Sequence, residues 1–272
     1  MIYFSPAKIN LGLQILKRRD DGFHMLRSVM YPTGLCDIIE INQLPAEDIP
    51  VRFSQSGIRF EADLEKNLCM KAWKLMASDR DLPPVAIHLH KQIPVGAGLG
   101  GGSSNASTVL KALNQIASSP ASAEKLAELA AQLGSDCPFF LNELPMMMEG
   151  RGEILSQVNV SLDKLHLVLL FPGIHISTAE AYGAVSPFVP DLHLKQLIET
   201  PMDRWKGLII NDFEKNALIK YPQLLTLKRS LYEAGALYAS MSGSGSALYG
   251  IFETPPQLPE EVRSYIIWKG PA

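Results

Sequence analysis

The sequence contains few cysteines, and none of them forms a closely spaced pair. Cys36, Cys69 and Cys137 are the three cysteines in 272 residues. A structural zinc site needs closely spaced cysteine or histidine ligands, and a disulfide framework needs several cysteines that can pair. This pattern argues against both, and it is typical of the reducing cytoplasm. We therefore expect a cytoplasmic protein.

The sequence also lacks a strong charge of one sign and a long apolar run. The formal net charge is −3 at pH 7, so the sequence predicts no basic surface for nucleic acid. No apolar run reaches the roughly 20 residues that a membrane-spanning helix needs. Near the N-terminus, Lys8 and Asn10 interrupt the apolar residues, which argues against a secretion signal. We expect neither a nucleic-acid partner nor a membrane partner.

Length and hydrophobic patterning set the expected fold class. At 272 residues the chain is long enough for two domains, taking about 150 residues as the usual size. Residues 1–90 are strand-rich, with one helix predicted at residues 67–78 and Asn67 as its N-cap. Further helices are predicted at residues 122–133 and at about residues 223–233, and residues 165–171 predict a buried central strand. Runs of strands with segregated helices predict an α+β fold. We place the domain boundary near residue 155.

A glycine-rich segment at residues 94–105 (PVGAGLGGGSSN) is the most informative feature of the sequence. Five glycines occur between residues 96 and 102. Residues 86–91 before it alternate as a strand does, and residues 106–114 after it predict a helix. Glycine lets the backbone turn and approach a ligand closely, and a helix N-terminus attracts anions. Together these features predict a phosphate-binding loop.

Two well-known phosphate motifs fit this segment poorly. In a Walker-type loop the second glycine is followed by lysine, whereas Gly101 is followed by Gly102. The spacing of Gly96, Gly98 and Gly101 matches a dinucleotide-binding fingerprint, but residues 118–123 supply no acid for a ribose. A flexible turn is the remaining alternative. So many glycines before a polar helix start favour an anion-binding loop.

Three further segments have a functional and a plain structural interpretation. Residues 6–13 (PAKINLGL) place Lys8 on a strand, where an edge strand with a solvated lysine is the plain alternative. Residues 133–140 (LGSDCPFF) place Asp136 before a proline, as a helix N-cap would be. Residues 241–246 (MSGSGS) are a glycine-serine turn between strands, as in a simple hairpin. Each segment alone is ambiguous.

Taken together, these segments resemble the GHMP kinases. That family shares a lysine-bearing N-terminal strand, a glycine-rich loop and a C-terminal glycine-rich turn. Residues 21–24 (DGFH) and 211–214 (NDFE) also follow the family order, so the resemblance runs from residue 6 to residue 245. The first of these, with the triple glycine before Ser103, resembles the members that phosphorylate a cytidine diphosphate sugar alcohol in non-mevalonate isoprenoid precursor synthesis.

The resemblance implies a two-domain α+β fold and a kinase reaction. Residues 1–155 would form an ATP-binding domain similar to ribosomal S5 domain 2, and residues 156–272 a ferredoxin-like C-terminal domain. The γ-phosphate of ATP would pass to a tertiary 2-hydroxyl, which is a poor nucleophile and needs a base. Mg²⁺ would accompany ATP. The protein would be a monomer or a weak homodimer, and its substrates would be ATP and a cytidine diphosphate sugar alcohol.

The resemblance also implies residue roles. Asp136 would be the catalytic base, and Lys8 would stabilise the transferring phosphoryl group. Asn10 would position the substrate. The residues implied to bind ATP are Pro94, Gly96, Gly98, Leu99, Gly100, Gly101, Gly102, Ser103 and Ser104 in the loop, with Asn67, Leu68 and Lys91 near adenine. The metal ligands are not assigned.

The cytidine end of the substrate would be bound by aromatic and polar side chains. The resemblance places Phe23 and Tyr182 as stacking residues and His24 at the edge of the cytosine ring. Relatives often have tyrosine at position 23, and Phe23 keeps the stacking face but lacks the hydroxyl. Ordinary core packing is the alternative for the two aromatic residues.

Two other functions remain open from the sequence. The chain could be another GHMP small-molecule kinase of the mevalonate or homoserine type. It could also be a non-catalytic nucleotide-binding module, which predicts loss of the base or the lysine. Lys8 and Asp136 are both present.

Overall fold

The computed structural model describes residues 1–45, 49–59, 63–142 and 144–272. The strands are β1 (Ile2–Arg18), β2 (His24–Gln43), β3 (Val51–Gly57), β4 (Val85–Lys91), β5 (Met146–Gly150), β6 (Ile154–Gln157), β7 (His166–Leu170), β8 (Tyr238–Met241), β9 (Leu248–Phe252) and β10 (Ile266–Pro271). The α-helices are α1 (Leu68–Asp79), α2 (Gly101–Ile116), α3 (Ala123–Leu133), α4 (Thr178–Gly183), α5 (Leu194–Ile198), α6 (Glu214–Lys220), α7 (Pro222–Glu233) and α8 (Glu260–Arg263).

The chain forms two compact units that are not continuous in sequence. The first unit contains Met1–Ala7, Leu35–Val95 and Gly100–Glu143. The second unit contains Lys8–Gly34, Gly96–Leu99 and Leu144–Ala272. The glycine-rich segment therefore contributes residues to both units. The domain boundary near residue 155 that the sequence indicates stays a prediction.

The first unit places helices on one face of a small mixed sheet. Strand β4 pairs in parallel with β3 and antiparallel with the end of β2. Buried residues of β2 and β4 form one hydrophobic core with α1, α2 and α3. Along β4, Ile87 and Leu89 are buried in this core, while His88 bonds to Ser54 and Ser56. The predicted alternation of this strand is confirmed.

Capping residues fix two helices of the first unit where the sequence predicts them. The Asn67 side chain accepts a hydrogen bond from the Cys69 N–H at the start of α1. Ser122 caps α3 in the same way, and α3 ends at Gly134. Side-chain caps satisfy backbone N–H groups that have no partner within the helix.

Helix α2 begins earlier than the sequence predicts. The predicted start was Ala106, whereas the helix runs from Gly101, after Gly100 in the left-handed conformation at φ 70°. Glycine and serine have lower helix propensity than alanine, so the sequence pattern alone places the start of the helix too late. Burial of ten residues of α2 overrides this preference. The correction places Gly101, Gly102 and Ser103 in the first helical turn.

The second unit contains antiparallel strands and most of the short helices. The beginning of β2 pairs with β5, and β5 pairs with β6. A four-stranded antiparallel sheet has the order β10-β7-β9-β8, which confirms that β7 is an interior strand. Helix α7 packs against this sheet through three buried leucines, Leu224, Leu227 and Leu231.

Segregated helices and mixed strands confirm the α+β fold class. In the described part of the chain, none of the helices has the length and apolar character that a membrane span requires.

Candidate active site

Lys8 lies on β1 in the second unit and is nearly fully buried. Its side chain is 4% exposed, and its ammonium donates to the Gly98 carbonyl at 2.8 Å and to Asn10 Oδ1 at 2.5 Å. The Lys8 N–H also donates to the Leu99 carbonyl at 3.0 Å. The alternative of an edge strand with a solvated lysine is therefore wrong. A buried ammonium next to a glycine-rich loop is suited to stabilising phosphate charge.

Asn10 is held in one orientation by its neighbours in the second unit. Its Nδ2 donates to Ser28 Oγ at 2.8 Å, and Ser28 Oγ donates to the Gly12 carbonyl at 2.6 Å. Tyr249 donates from its hydroxyl to the Asn10 carbonyl at 2.8 Å. Fixed side-chain orientation is what a substrate-positioning residue needs.

The C-terminal glycine-serine turn connects antiparallel β8 and β9, so the hairpin interpretation is correct. The turn also contacts the glycine-rich loop within the second unit. Ser242 Oγ donates to the Gly98 carbonyl at 2.9 Å, and the Ala247 N–H donates to the Ala97 carbonyl at 3.0 Å. A Cβ on Gly98 would lie 2.1 Å from the Ser242 carbonyl oxygen, so only glycine fits there.

The remaining loop glycines face other neighbours. Gly96 has φ 69°, and a Cβ there would lie 2.9 Å from His175 Nδ1 in the second unit. In the first unit, a Cβ on Gly101 would lie 2.9 Å from Lys91 Nζ, and one on Gly102 would lie 3.3 Å from Leu68 Cδ1. A Cβ on Gly101 would therefore force a neighbour to shift, whereas one on Gly102 would need only a small adjustment of Leu68.

The start of α2 lies next to the turn that contains Asp136, within the first unit. Ser103 on α2 bonds to the Cys137 thiol, and burial raises the pKa of that thiol to about 11. Ser107 Oγ donates to the Cys137 carbonyl at 2.7 Å. The helix N-terminus and the aspartate-bearing turn are thus adjacent, which is the arrangement that phosphate binding and proton transfer together require.

Asp136 does not act as the helix cap that its sequence position permits. It precedes a 3-10 helix, Cys137–Leu141, and its side chain makes no capping hydrogen bond to that helix. The residue is partly exposed. The alternative in which the Asp136 side chain caps that helix is therefore wrong.

Asp37 organises the base of the phosphate-binding segment in the first unit. This fully buried carboxylate accepts the N–H groups of Gln92 and Ile93 at 2.7 and 2.8 Å. It also accepts Asn105 Nδ2 at 2.8 Å and pairs with the Lys91 ammonium. One side chain therefore ties the end of β4 to the first turns of α2. Sequence reasoning missed Asp37, because its partners come from distant parts of the chain.

Lys91 and Asn67 have clear structural partners in the first unit. Lys91 is 3% exposed, and burial lowers the pKa of its ammonium while the Asp37 carboxylate opposes that shift. Asn67 is buried as the cap of α1, and Leu68 follows it as the first residue of that helix. Their predicted place near adenine stays a prediction.

An aromatic cluster forms around Tyr182 in the second unit. His24 stacks on Tyr182 with ring centroids 4.9 Å apart and an interplanar angle of 23°. Phe213 meets Tyr182 edge-on, also at 4.9 Å. Phe23 is 58% exposed, and the Arg151 guanidinium lies 5.4 Å from its ring centroid. Core packing is therefore wrong for Phe23, whereas Tyr182 is partly buried.

Comparisons with known proteins agree with this geometry. Residues 67–143 match the model of the GHMP kinases N terminal domain, and residues 194–266 match that of the GHMP kinases C terminal. A protein of Azobacteroides pseudotrichonymphae named 4-diphosphocytidyl-2-C-methyl-D-erythritol kinase is 45% identical over 94% of both chains. A Bacteroides fragilis protein of the same name is 45% identical over 93% of this chain and 92% of its own. This chain belongs to that kinase family, a branch of the GHMP kinases.

Solved structures give the same result at the level of fold. A crystal structure of a 4-(cytidine 5'-diphospho)-2C-methyl-D-erythritol kinase matches this GHMP kinase with a TM-score of 0.80 and 34% identity, covering 94% of this chain and 91% of that one. The Methanococcus jannaschii mevalonate kinase matches with a TM-score of 0.64 and 14% identity, covering 97% and 92%. The second match shows a shared fold alone. This GHMP kinase is an ATP-dependent small-molecule kinase.

The donor set of this GHMP kinase fits a metal that arrives with the nucleotide. Among the residues that the structure describes, no group of three or more His, Cys, Asp and Glu side chains is arranged to hold a metal ion. Mg²⁺ usually keeps several waters and binds through one or two carboxylates plus substrate phosphates. Ser103, in the first turn of α2, provides a hydroxyl oxygen beside the loop that would hold the phosphates.

Proposed function

We propose that the protein transfers the γ-phosphate of ATP to the 2-hydroxyl of 4-diphosphocytidyl-2-C-methyl-D-erythritol, in the non-mevalonate route to isoprenoid precursors. The observation that carries this proposal is 45% identity over 94% of both chains to a relative named for this kinase. The segments that distinguish this branch, residues 21–24 and 100–103, are intact.

Asp136 is the proposed general base. It accepts the proton of the 2-hydroxyl as that oxygen bonds to the γ-phosphorus of ATP. The bond from the γ-phosphorus to the β–γ bridging oxygen breaks, and ADP leaves. The position of Asp136 in the turn that packs against the start of α2 supports this role.

Lys8 is proposed to stabilise charge on the transferring phosphoryl group. The Gly98 carbonyl and Asn10 Oδ1 hold its ammonium, so its position is fixed before ATP binds. The first turn of α2 and the glycines of the loop are proposed to bind the ATP phosphates through backbone N–H groups. The Ser103 hydroxyl would contact Mg²⁺, which would partly neutralise phosphate charge when bound.

The cytosine ring is proposed to bind at the aromatic cluster of Tyr182, His24 and Phe23. Aromatic faces supply stacking, and the imidazole nitrogens of His24 offer a donor or an acceptor to the edge of the base. The His24–Tyr182 stack supports a common site for these two side chains. The cytoplasmic location, the monomeric or weakly dimeric state and the absence of nucleic-acid partners remain part of this proposal.

A coupled assay of ADP formation tests the proposed function. Wild-type protein with ATP, Mg²⁺ and the cytidine substrate should form ADP, and omission of either substrate should abolish the signal. Asp191→Asn, which changes an exposed aspartate, provides the matched control for Asp136→Asn. ADP formation that does not depend on the cytidine substrate would contradict the proposal.

A further inference from the structure

Asn211 is a buried side chain to which the proposed function assigns no role. It is fully buried, and its Nδ2 donates to the carbonyls of Met241 and Gly243, each at 2.8 Å. Its Oδ1 accepts the Phe213 N–H at 3.0 Å. Both amide hydrogens are therefore used on the two residues that flank Ser242.

Ser242 connects this clamp to the loop and to Lys8. Its hydroxyl donates a hydrogen bond to the Gly98 carbonyl at 2.9 Å and accepts one from the Asn10 N–H at 3.3 Å. The same Gly98 carbonyl accepts the Lys8 ammonium at 2.8 Å. Ser242 and Lys8 thus share one acceptor, and all of these residues belong to the second unit.

We propose that Asn211 is a positioning residue of the phosphotransfer site, acting through Ser242 and the Gly98 carbonyl on the Lys8 ammonium. By holding the backbone on both sides of Ser242, it fixes the direction of the serine hydroxyl. That hydroxyl holds the Gly98 carbonyl, which in turn accepts a hydrogen bond from the Lys8 ammonium. The inference rests on the proposed function, because that function assigns Lys8 to the transferring phosphoryl group.

A second residue of the same segment separates positioning from simple stabilisation. Glu214 accepts the Met241 N–H at 2.9 Å and pairs with Lys228 at 2.6 Å. These contacts stabilise the end of β8, at the residue before Ser242. Glu214 thus contacts the backbone on one side of Ser242, whereas Asn211 holds the carbonyls on both sides. Loss of Asn211 should therefore affect catalysis more than loss of the Glu214 charge does.

The experiment compares Asn211→Ala with Glu214→Gln and with Leu231→Ala, which removes a fully buried side chain from α7. Kinetics are measured at a temperature at which every variant is folded by circular dichroism. A small displacement of a catalytic group costs up to about a hundredfold in rate. We expect Asn211→Ala to lower kcat about tenfold to a hundredfold, with KM for the cytidine substrate within about twofold. The two controls should lower the melting temperature and leave kcat within about twofold.

A double-mutant cycle tests the route through Ser242. If Asn211 acts through that hydroxyl, Asn211→Ala in the Ser242→Ala background should cause little further loss of kcat. If the loss of kcat in the double variant instead equals the product of the two single losses, Asn211 does not act through Ser242. If Asn211→Ala does not fold, Asn211→Ser, which keeps one donor in a smaller side chain, takes its place and should show an intermediate loss.

The outcomes separate this inference from the proposed function. An active wild-type protein whose folded Asn211 variant keeps kcat within about twofold would overturn the inference alone. A wild-type protein that does not phosphorylate the cytidine substrate would overturn the proposed function and the inference with it. Titration of each variant with a non-hydrolysable ATP analogue gives a readout besides turnover, and a change confined to thermal stability would mark Asn211 as structural only.

Discussion

Individual polar side chains in this kinase are held by neighbours that are distant in sequence. Lys8, Asn10 and Asp37 are all at most 4% exposed, and each has at least two hydrogen-bond partners. Burying a charged or polar group without a partner is costly, so their retention in the interior requires these networks. The partners fix side-chain orientation before any substrate binds, which is the condition for electrostatic catalysis.

Replacing the proposed base should affect turnover far more than binding. Asp136→Asn should lower kcat about a hundredfold or more, because a positioned general base contributes about that much. Binding of an ATP analogue, measured by calorimetric titration, should stay close to the wild-type value. Near wild-type turnover in this variant would mean that Asp136 is not the base.

Removing the ring of Tyr182 should weaken binding of the cytidine substrate alone. Stacking of a base on an aromatic side chain is worth about 1–3 kcal/mol, so Tyr182→Ala should raise KM for that substrate about tenfold to a hundredfold and spare ATP. Phe23→Tyr keeps the ring face and should be nearly neutral. A lower melting temperature without a change in KM would assign Tyr182 to packing instead.

The carboxyl of Asp212 makes stability depend on pH. Burial raises its pKa above the ordinary value, although the Ile15 N–H opposes the shift. A raised folded-state pKa means that the contribution to stability is complete below the unfolded pKa of about 4 and is lost as pH rises through the folded value. Asp212→Asn resembles the protonated form, so it should lose less stability than wild type when pH rises from about 4 to about 7. Identical melting-temperature profiles for the two proteins would contradict this.

At the level of elements, the start of α2 and the loop before it pack against different neighbours. The helix begins where Gly100 adopts a left-handed conformation, and its first turn packs against Lys91 and Leu68. The preceding Gly98 packs instead against the turn between β8 and β9. Close packing of backbone on backbone fixes the loop more firmly than glycine content alone implies.

Gly98→Ala and Gly173→Ala form a matched pair that tests this packing. Both glycines have positive φ, 79° and 75°. A Cβ on Gly98 would lie 2.1 Å from the Ser242 carbonyl oxygen, whereas Gly173 has nothing within 4 Å. Gly173→Ala should cost about 1–2 kcal/mol from backbone strain alone. Gly98→Ala should cost more stability in urea unfolding and also weaken ATP binding; equal effects of the two changes would contradict the packing argument.

At the level of the whole molecule, the sequence predicts the α+β class, the helices α1, α3 and α7, and the interior strand β7. These depend on local signals such as capping side chains and apolar spacing. The predicted start of α2 is wrong because burial of its first turns outweighs the weak helix propensity of glycine and serine. Asp37, and the partners of Asn211, could not be predicted because buried polar networks join residues from distant segments. The site residues are implied by the family resemblance, because no local pattern marks Lys8 or Asp136 as catalytic.

The most direct test of the central claim is a substrate competition experiment with identification of the product. Wild-type protein receives ATP with equal concentrations of 4-diphosphocytidyl-2-C-methyl-D-erythritol, mevalonate and homoserine, and the products are resolved by mass spectrometry and phosphorus NMR. We predict one phosphorylated product, the cytidine compound carrying a new phosphomonoester on its 2-hydroxyl. Phosphorylation of mevalonate or homoserine instead, or of none of the three, would contradict the account.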